Sequence, residues 1–194
     1  IMILKQIEVK SSLIDDYTNC YIMQDEETKE AICIDPGGEI DKIEEMLEIL
    51  SAKLKYIYLT HSHLDHVEKA QELKEKNGGE ILISRLGEKN MIGKDIYTNV
   101  DARVDDKDIL HVGCLELEVI STPGHTNDGT SLYCKEEGIV FTGDTLMYMG
   151  YGRTDFPTGS TKELKKSLKR LFTLPDNTFV YPGHGIATTI IDEK

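Results

Sequence analysis

The chain has 194 residues, 39% hydrophobic and 29% charged, and a formal net charge of −13. That length fits a single domain, residues 1–194, and no apolar stretch approaches the roughly 18 residues of a membrane span. The negative balance argues against a phosphate-binding face for DNA or RNA. Cys20, Cys33, Cys114 and Cys134 are scattered without a CxxC pair, as expected of free thiols in a reducing cytoplasm. Ile1 to Lys5 lacks the basic and long apolar regions of a signal peptide, so the expected location is cytoplasmic. No feature of the sequence defines an oligomeric state.

Residues 2–9 alternate and predict a first strand. Asn19–Met23 and Glu30–Ile34 predict a hairpin closed by the charged turn Asp25 to Lys29, and Asp35-Pro36-Gly37-Gly38 ends it. Ile40, Ile43, Leu47 and Leu50 recur at helical spacing between Glu39 and Ala52. Leu54 to Leu59 returns to a strand and delivers Thr60-His61-Ser62-His63-Leu64-Asp65-His66. Val67, Ala70 and Leu73 then mark a short helix that stops before Asn77-Gly78-Gly79, with Asp65 placed to cap its start. Glu80 to Ser84 reads as a strand, and 85–108 as a short helix and loop lying over one side.

The second half repeats this logic. The alternation of Leu115, Leu117 and Val119 predicts a strand ending in Ser121-Thr122-Pro123-Gly124-His125-Thr126. Ser131–Cys134 and Gly138–Phe141 predict a hairpin ending in Thr142-Gly143-Asp144-Thr145. Ser160 and Glu163 form a capping-box pattern for a helix carrying Leu164, Leu168 and Leu171. The strand Thr178–Tyr181 runs into Pro182-Gly183-His184-Gly185.

Strand ends that bear His or Asp among glycines are the places where α/β proteins build sites. Imidazole nitrogen and carboxylate oxygen suit a borderline divalent cation, with Zn2+ the default and Fe or Mn accepted by the same donors. The candidate ligands are His61, His63, Asp65, His66, His125, Asp144 and His184, and His111 is left as a surface residue. Seven donors exceed one open tetrahedral site. They divide into two sets of three around a shared carboxylate, so two metal ions are expected.

His-x-His-x-Asp-His at 61–66, followed in order by His125, Asp144 and His184, resembles the metallo-β-lactamase fold superfamily over nearly the whole chain. The resemblance is nearest to small glyoxalase II-like hydrolases, through Phe141-Thr142-Gly143-Asp144-Thr145-Leu146, Gly152-Arg153-Thr154-Asp155-Phe156-Pro157, Tyr181-Pro182-Gly183-His184-Gly185 and Thr188-Thr189. It implies an α/β four-layer αββα sandwich, with two mixed β-sheets and helices on the outer faces. It also implies His61, His63 and His125 on metal one, Asp65, His66 and His184 on metal two, and Asp144 bridging with a water or hydroxide.

The chain departs from the glyoxalase II-like pattern at Ser62, not a ligand position, where those loops usually have histidine, and in two further ways. Val67-Glu68-Lys69 stands where an x-Gly-Gly segment often follows Asp-His, and the sequence ends shortly after His184, without the helical domain of full-length glyoxalase II. Asp144 in place of the Cys of the main zinc lactamases argues against antibiotic hydrolysis.

The expected activity is metal-dependent hydrolysis of a small thioester. Hydroxide held between two cations would be the nucleophile, and Asp65 would have a double role as ligand and orienter. Tyr148 or Tyr151 is a candidate oxyanion donor or rim residue, Arg153 is expected to pair with Asp155, and Asp35 and Thr60 to hydrogen-bond ligand imidazoles. Three rivals remain: a small-ester or lactone hydrolase, a persulfide dioxygenase-like oxidoreductase with one iron on His61, His125 and Asp144, and a non-catalytic metal-binding module.

Overall fold

The computed structural model describes residues 1–94 and 96–194. The first half forms one six-stranded mixed sheet from β1 (Met2–Lys10), β2 (Tyr17–Asp25), β3 (Glu30–Ile34), β4 (Lys53–Tyr58), β5 (Glu80–Ser84) and β6 (Ala102–Val104), in that spatial order. β1 to β3 are antiparallel neighbours, and β3 to β6 run parallel. Parallel pairs need crossovers, supplied here by the helices α1 (Ile40–Ile49), α2 (Leu64–Val67), α3 (Ala70–Asn77) and α4 (Arg85–Met91).

The second half forms a sheet from β7 (Ile109–Val112), β8 (Leu115–Ser121), β9 (Thr130–Cys134), β10 (Ile139–Gly143), β13 (Phe179–Pro182) and β14 (Thr188–Thr189), ordered β14-β13-β10-β9-β8-β7. A small ribbon, β11 (Leu146–Met147) with β12 (Gly150–Tyr151), and the helix α5 (Thr161–Leu171) separate β10 from β13, and α6 (Ile190–Glu193) closes the chain.

The period of two along each strand builds the layers. In β2, Cys20 and Ile22 face the helices with Ile43 and Leu47 of α1, while Tyr21 and Met23 face the other sheet. Ile57 and Tyr58 divide likewise in β4, and in β10 Phe141 points between the sheets while Val140 packs with Leu171 of α5. The result is the four-layer αββα sandwich expected from the sequence. At ten residues α1 is too short to be stable alone, so burial of Ile43 and Leu47, worth about 1.5–3 kcal/mol each, holds it in place.

The expected strands and helices are present, with some differences. The cap of α2 is His63, and Asp65 lies in the first turn with no capping bond. For α5, the Ser160 hydroxyl accepts from the Glu163 amide, but the Ser160 amide bonds Gly124, so half of the capping box forms. The stretch 85–108 holds β6 as well as α4, and the expectation for Asp95 lies outside the described residues. Two-residue strands such as β11, β12 and β14 have no periodicity that a sequence could display.

Candidate metal centre

The site lies where the carboxyl ends of β4, β8, β10 and β13 meet the start of β2. Hydrogen bonds close the two sheets together at this edge. The Thr130 amide donates to the Thr60 carbonyl (2.9 Å), the Asn19 amide to Gly183 (2.7 Å) and the Tyr21 hydroxyl to Pro182 (2.6 Å). Loops from opposite sheets thereby become one rigid rim.

Two clusters of donor atoms result, each within 4.8 Å: His61, His63, His125 and Asp144, then Asp65, His66 and His184. The Asp144 carboxylate stands between them. Its Oδ2 lies 3.7 Å from His61 Nε2, 3.4 Å from His125 Nε2, 3.3 Å from His66 Nε2 and 3.2 Å from His184 Nε2. Asp65 Oδ2 lies 3.6 Å from His66 Nε2 and 3.4 Å from His184 Nε2. All seven sequence candidates come together here, and His111 lies on the surface beside Glu116.

The outward nitrogens of the rings are held by the surrounding protein. His125 Nδ1 donates to the Arg153 carbonyl (2.7 Å) and His184 Nδ1 to the Tyr17 carbonyl (2.6 Å). His66 Nδ1 donates to Asp35 Oδ2 (2.8 Å). The Thr60 hydroxyl donates to that same oxygen (2.7 Å), so it accepts from His61 Nδ1 (3.0 Å). Asp35 therefore sets the tautomer of His61 through Thr60 and orients His66 directly, with both Nε2 atoms turned inward. His63 alone turns Nδ1 inward, 3.1 Å from His125 Nε2.

Glycines allow this crowding. A side chain on Gly183 would strike Asp144 and His66, and one on Gly143, which has φ +52°, would come within 2.7 Å of the Thr60 hydroxyl.

Electrostatics separate the clusters. Burial, then the neighbouring His66, push His61 well below the usual imidazole range, and burial with His125 lowers His63. Burial opposes the charged form of His66 too, yet the carboxylates of Asp144, Asp35 and Asp65 raise it well above that range. His184 is likewise raised to about 10, against burial, by Asp144 and Asp65. The same imidazoles hold Asp144 and Asp65 below the usual carboxylate range despite burial.

The donor set fits cations. His61 Nε2, His66 Nε2 and Asp144 Oδ1 are buried without a hydrogen-bond partner among the described residues. Each such atom costs about 1–3 kcal/mol. Unpartnered buried ring nitrogens in both clusters, facing the shared Asp144 carboxylate, are the arrangement positive ions satisfy.

A cavity of about 610 Å³ opens over the clusters. Ile14, Leu64, Met147, Phe156 and Pro157 give it apolar walls, and Asn90 and Lys94, in and just after α4, line it too, so the stretch after residue 85 does reach the site. Arg153 pairs with Asp155 in a two-pronged contact (both 2.6 Å) and stacks over Phe156 at 4.4 Å, which fixes the loop as expected. Tyr148 and Tyr151 are exposed and are not among the residues lining the cavity, so neither the expected oxyanion contact nor rim packing is seen. The Tyr17 carbonyl and Thr18, whose hydroxyl donates to Asp65 Oδ2 (3.2 Å), went unread in the sequence. A main-chain carbonyl leaves no sequence signal, and Thr18 sits in an ordinary strand pattern.

Similar proteins have this architecture. The chain is 37% identical to the hydroxyacylglutathione hydrolase GloC of Haemophilus influenzae, covering 91% of this chain and 89% of that one. It is 32% identical to the mitochondrial persulfide dioxygenase ETHE1 of Mus musculus, over 91% of this chain and 68% of that one. The crystal structure of the BLEG-1 B3 metallo-beta-lactamase superposes with a TM-score of 0.86 at 28% identity, covering 98% of this chain and 96% of that one. These relatives bear different activities, so the likeness extends to glyoxalase II-like proteins without singling them out. The family model described as the metallo-beta-lactamase superfamily matches residues 13–184, and with the fold and the two donor clusters it follows that the chain belongs to the metallo-β-lactamase superfamily.

Proposed function

We propose that this protein is a metal-dependent hydrolase of small thioesters. The observation that carries the reading is the single Asp144 oxygen shared by two donor clusters at the floor of a cavity with apolar walls. His61, His63 and His125 would hold one divalent cation, and Asp65, His66 and His184 the other, with Asp144 common to both. Cations bound there supply Lewis acidity, bringing the pKa of water toward neutrality and stabilising negative charge on a carbonyl oxygen.

The protein's own part is positioning. Asp35, Thr60 and the carbonyls of Tyr17 and Arg153 lock the rings, so the donors need no rearrangement during reaction. Asp65 has two tasks in this reading, as ligand and as acceptor that orients the attacking water, while Thr18 steadies its Oδ2. Water is the nucleophile. Cys20, Cys33 and Cys134 are buried, Cys114 is exposed, and none of them lines the cavity. Addition of water to the thioester releases a carboxylic acid and a thiol. Ile14, Leu64 and Phe156 line the cavity in which the acyl group would sit. Similarity to the hydroxyacylglutathione hydrolase GloC supports the thioester over other acyl substrates.

Chelation should abolish thioester hydrolysis and added Zn2+ restore it. Asp65→Ala should lower turnover by about 10²–10³-fold, several kcal/mol of transition-state stabilisation, and empty its own cluster of metal. Full turnover in the chelated protein or in that variant would overturn the assignment. A panel including esters, lactones and β-lactams reads out the neighbouring acyl substrates. Similarity to the persulfide dioxygenase ETHE1 favours a second reading, with one iron on His61, His125 and Asp144. Oxygen uptake with glutathione persulfide, and iron in protein made without added metal, would select it.

A further inference from the structure

Glu68 follows His66 by two residues, caps the carboxyl end of α2 and is 8% exposed. Its carboxylate is held by the loop between β1 and β2. Oε1 accepts from the Ser11 hydroxyl (2.8 Å), the Ser12 amide (2.9 Å) and the Leu13 amide (3.2 Å), and Oε2 from the Ser12 amide (3.2 Å). The Ser11 hydroxyl in turn accepts from the amides of Leu13 and Ile14, both at 3.1 Å. Three consecutive amides of one loop thus converge on a single buried carboxylate and the hydroxyl attached to it.

Besides these bonds the loop has a main-chain closure from the Ser11 amide to the Asp16 carbonyl (3.3 Å), a tight bond from the Asp16 amide to Ile14 (2.7 Å) and an exposed Lys10–Asp15 ion pair (2.9 Å). Residues 12–16 are all exposed, Leu13 by 53% and Ile14 by 39%, so apolar burial contributes little to their placement. Fixing each backbone residue costs about 1–2 kcal/mol, and hydrogen bonds to a charged acceptor are the strong kind that offset such a cost. The loop matters because Ile14 and Asp16 line the cavity, opposite in the chain to Phe156 and Pro157. Its far end leads directly into Tyr17, whose carbonyl holds His184.

We infer that Glu68 is a positioning residue for substrate: it ties the loop 11–16 to the ligand-bearing helix α2, so that Ile14 and Phe156 form the walls of a pocket for an apolar acyl group. The acyl part of this inference rests on the thioester reading above. The loop part does not.

Glu68→Ala should raise amide hydrogen exchange at Ser12 and Leu13 by about tenfold or more, the loss expected for bonds to a charged acceptor. In the zinc-loaded protein its KM for thioesters with apolar acyl chains should rise about tenfold while kcat stays within about twofold, because binding rather than chemistry is weakened. Metal content should be unchanged. Glu68→Gln, which keeps one carbonyl oxygen at the same place, should recover most of both effects. Should Glu68→Ala fail to fold, Ser11→Ala removes the other half of the anchor and should raise exchange at Leu13 and Ile14 and reproduce the KM change. Unchanged exchange at Ser12 and Leu13 would overturn the anchoring role, and so would a fall in kcat that tracks lost metal. Unchanged KM with increased exchange would overturn the substrate pocket. If the unaltered protein hydrolyses no thioester, that reading fails by itself, and the exchange rates still decide the role of Glu68.

Discussion

The two donor clusters share a loop and an aspartate yet differ in charge. His61 and His63 are pushed by burial toward neutral imidazole, so the first cluster presents lone pairs ready for a cation at neutral pH. His66 and His184 stand among Asp35, Asp65 and Asp144, which draw protons onto them. The second cluster must therefore release protons to take a cation. The difference teaches that neighbouring residues of one short loop, His63 and Asp65 among them, can serve chemically unlike sites, because the fold surrounds each with different partners.

Asp144 is where the comparison breaks most completely. Asp144→Ala removes the oxygen within 3.2–3.7 Å of four imidazoles, so elemental analysis should find both cations lost. Turnover should fall by about 10³-fold or more, again several kcal/mol of lost charge stabilisation. Retention of a full complement of metal would show that the carboxylate is not shared.

Asp35→Asn sharpens the comparison at the next level. The amide has one acceptor oxygen where the carboxylate has two, so it cannot accept both from the Thr60 amide on one side and from the Thr60 hydroxyl and His66 Nδ1 on the other, and metal affinity or activity should drop about 10–100-fold. Thr60→Val cuts only the branch to His61, so its effect, read by metal titration, should be smaller and confined to the first cluster.

The smallest expected effect is on pH dependence after chelation. His184 has a folded pKa of about 10 against a reference of 6.5, so its contribution to stability is complete below pH 6.5 and lost as pH rises toward 10. Tm of the chelated protein should fall by on the order of a few degrees across that window. His184→Ala should flatten the fall, and an equally steep fall in the variant would assign it to other groups.

Much of this was legible because local chemistry announced it. The six residues from His61 to His66 hold four donors, a density that solubility does not explain, and the strands that lead to His125, Asp144 and His184 end in Gly- or Pro-containing turns. The capping role read for Asp65 failed because its carboxylate turns to His66 and His184 instead of the helix amides. The tyrosines near 150 misled for the opposite reason, since proximity in sequence to Asp144 does not place a side chain in the cavity.

By itself the sequence determined the alternation that stacks two sheets between helices, and the seven candidate donors with their position at strand ends. Those properties follow from side-chain period and residue chemistry, which are local. Only the tertiary structure decided which rings Asp35 and Thr60 serve, His66 directly and His61 through the Thr60 hydroxyl, that the carbonyls of Tyr17 and Arg153 fix His184 and His125, and that Glu68 faces the loop 11–16. Each of these joins segments distant in the chain, or uses main-chain atoms that every residue carries, so no residue type or spacing could have encoded it visibly.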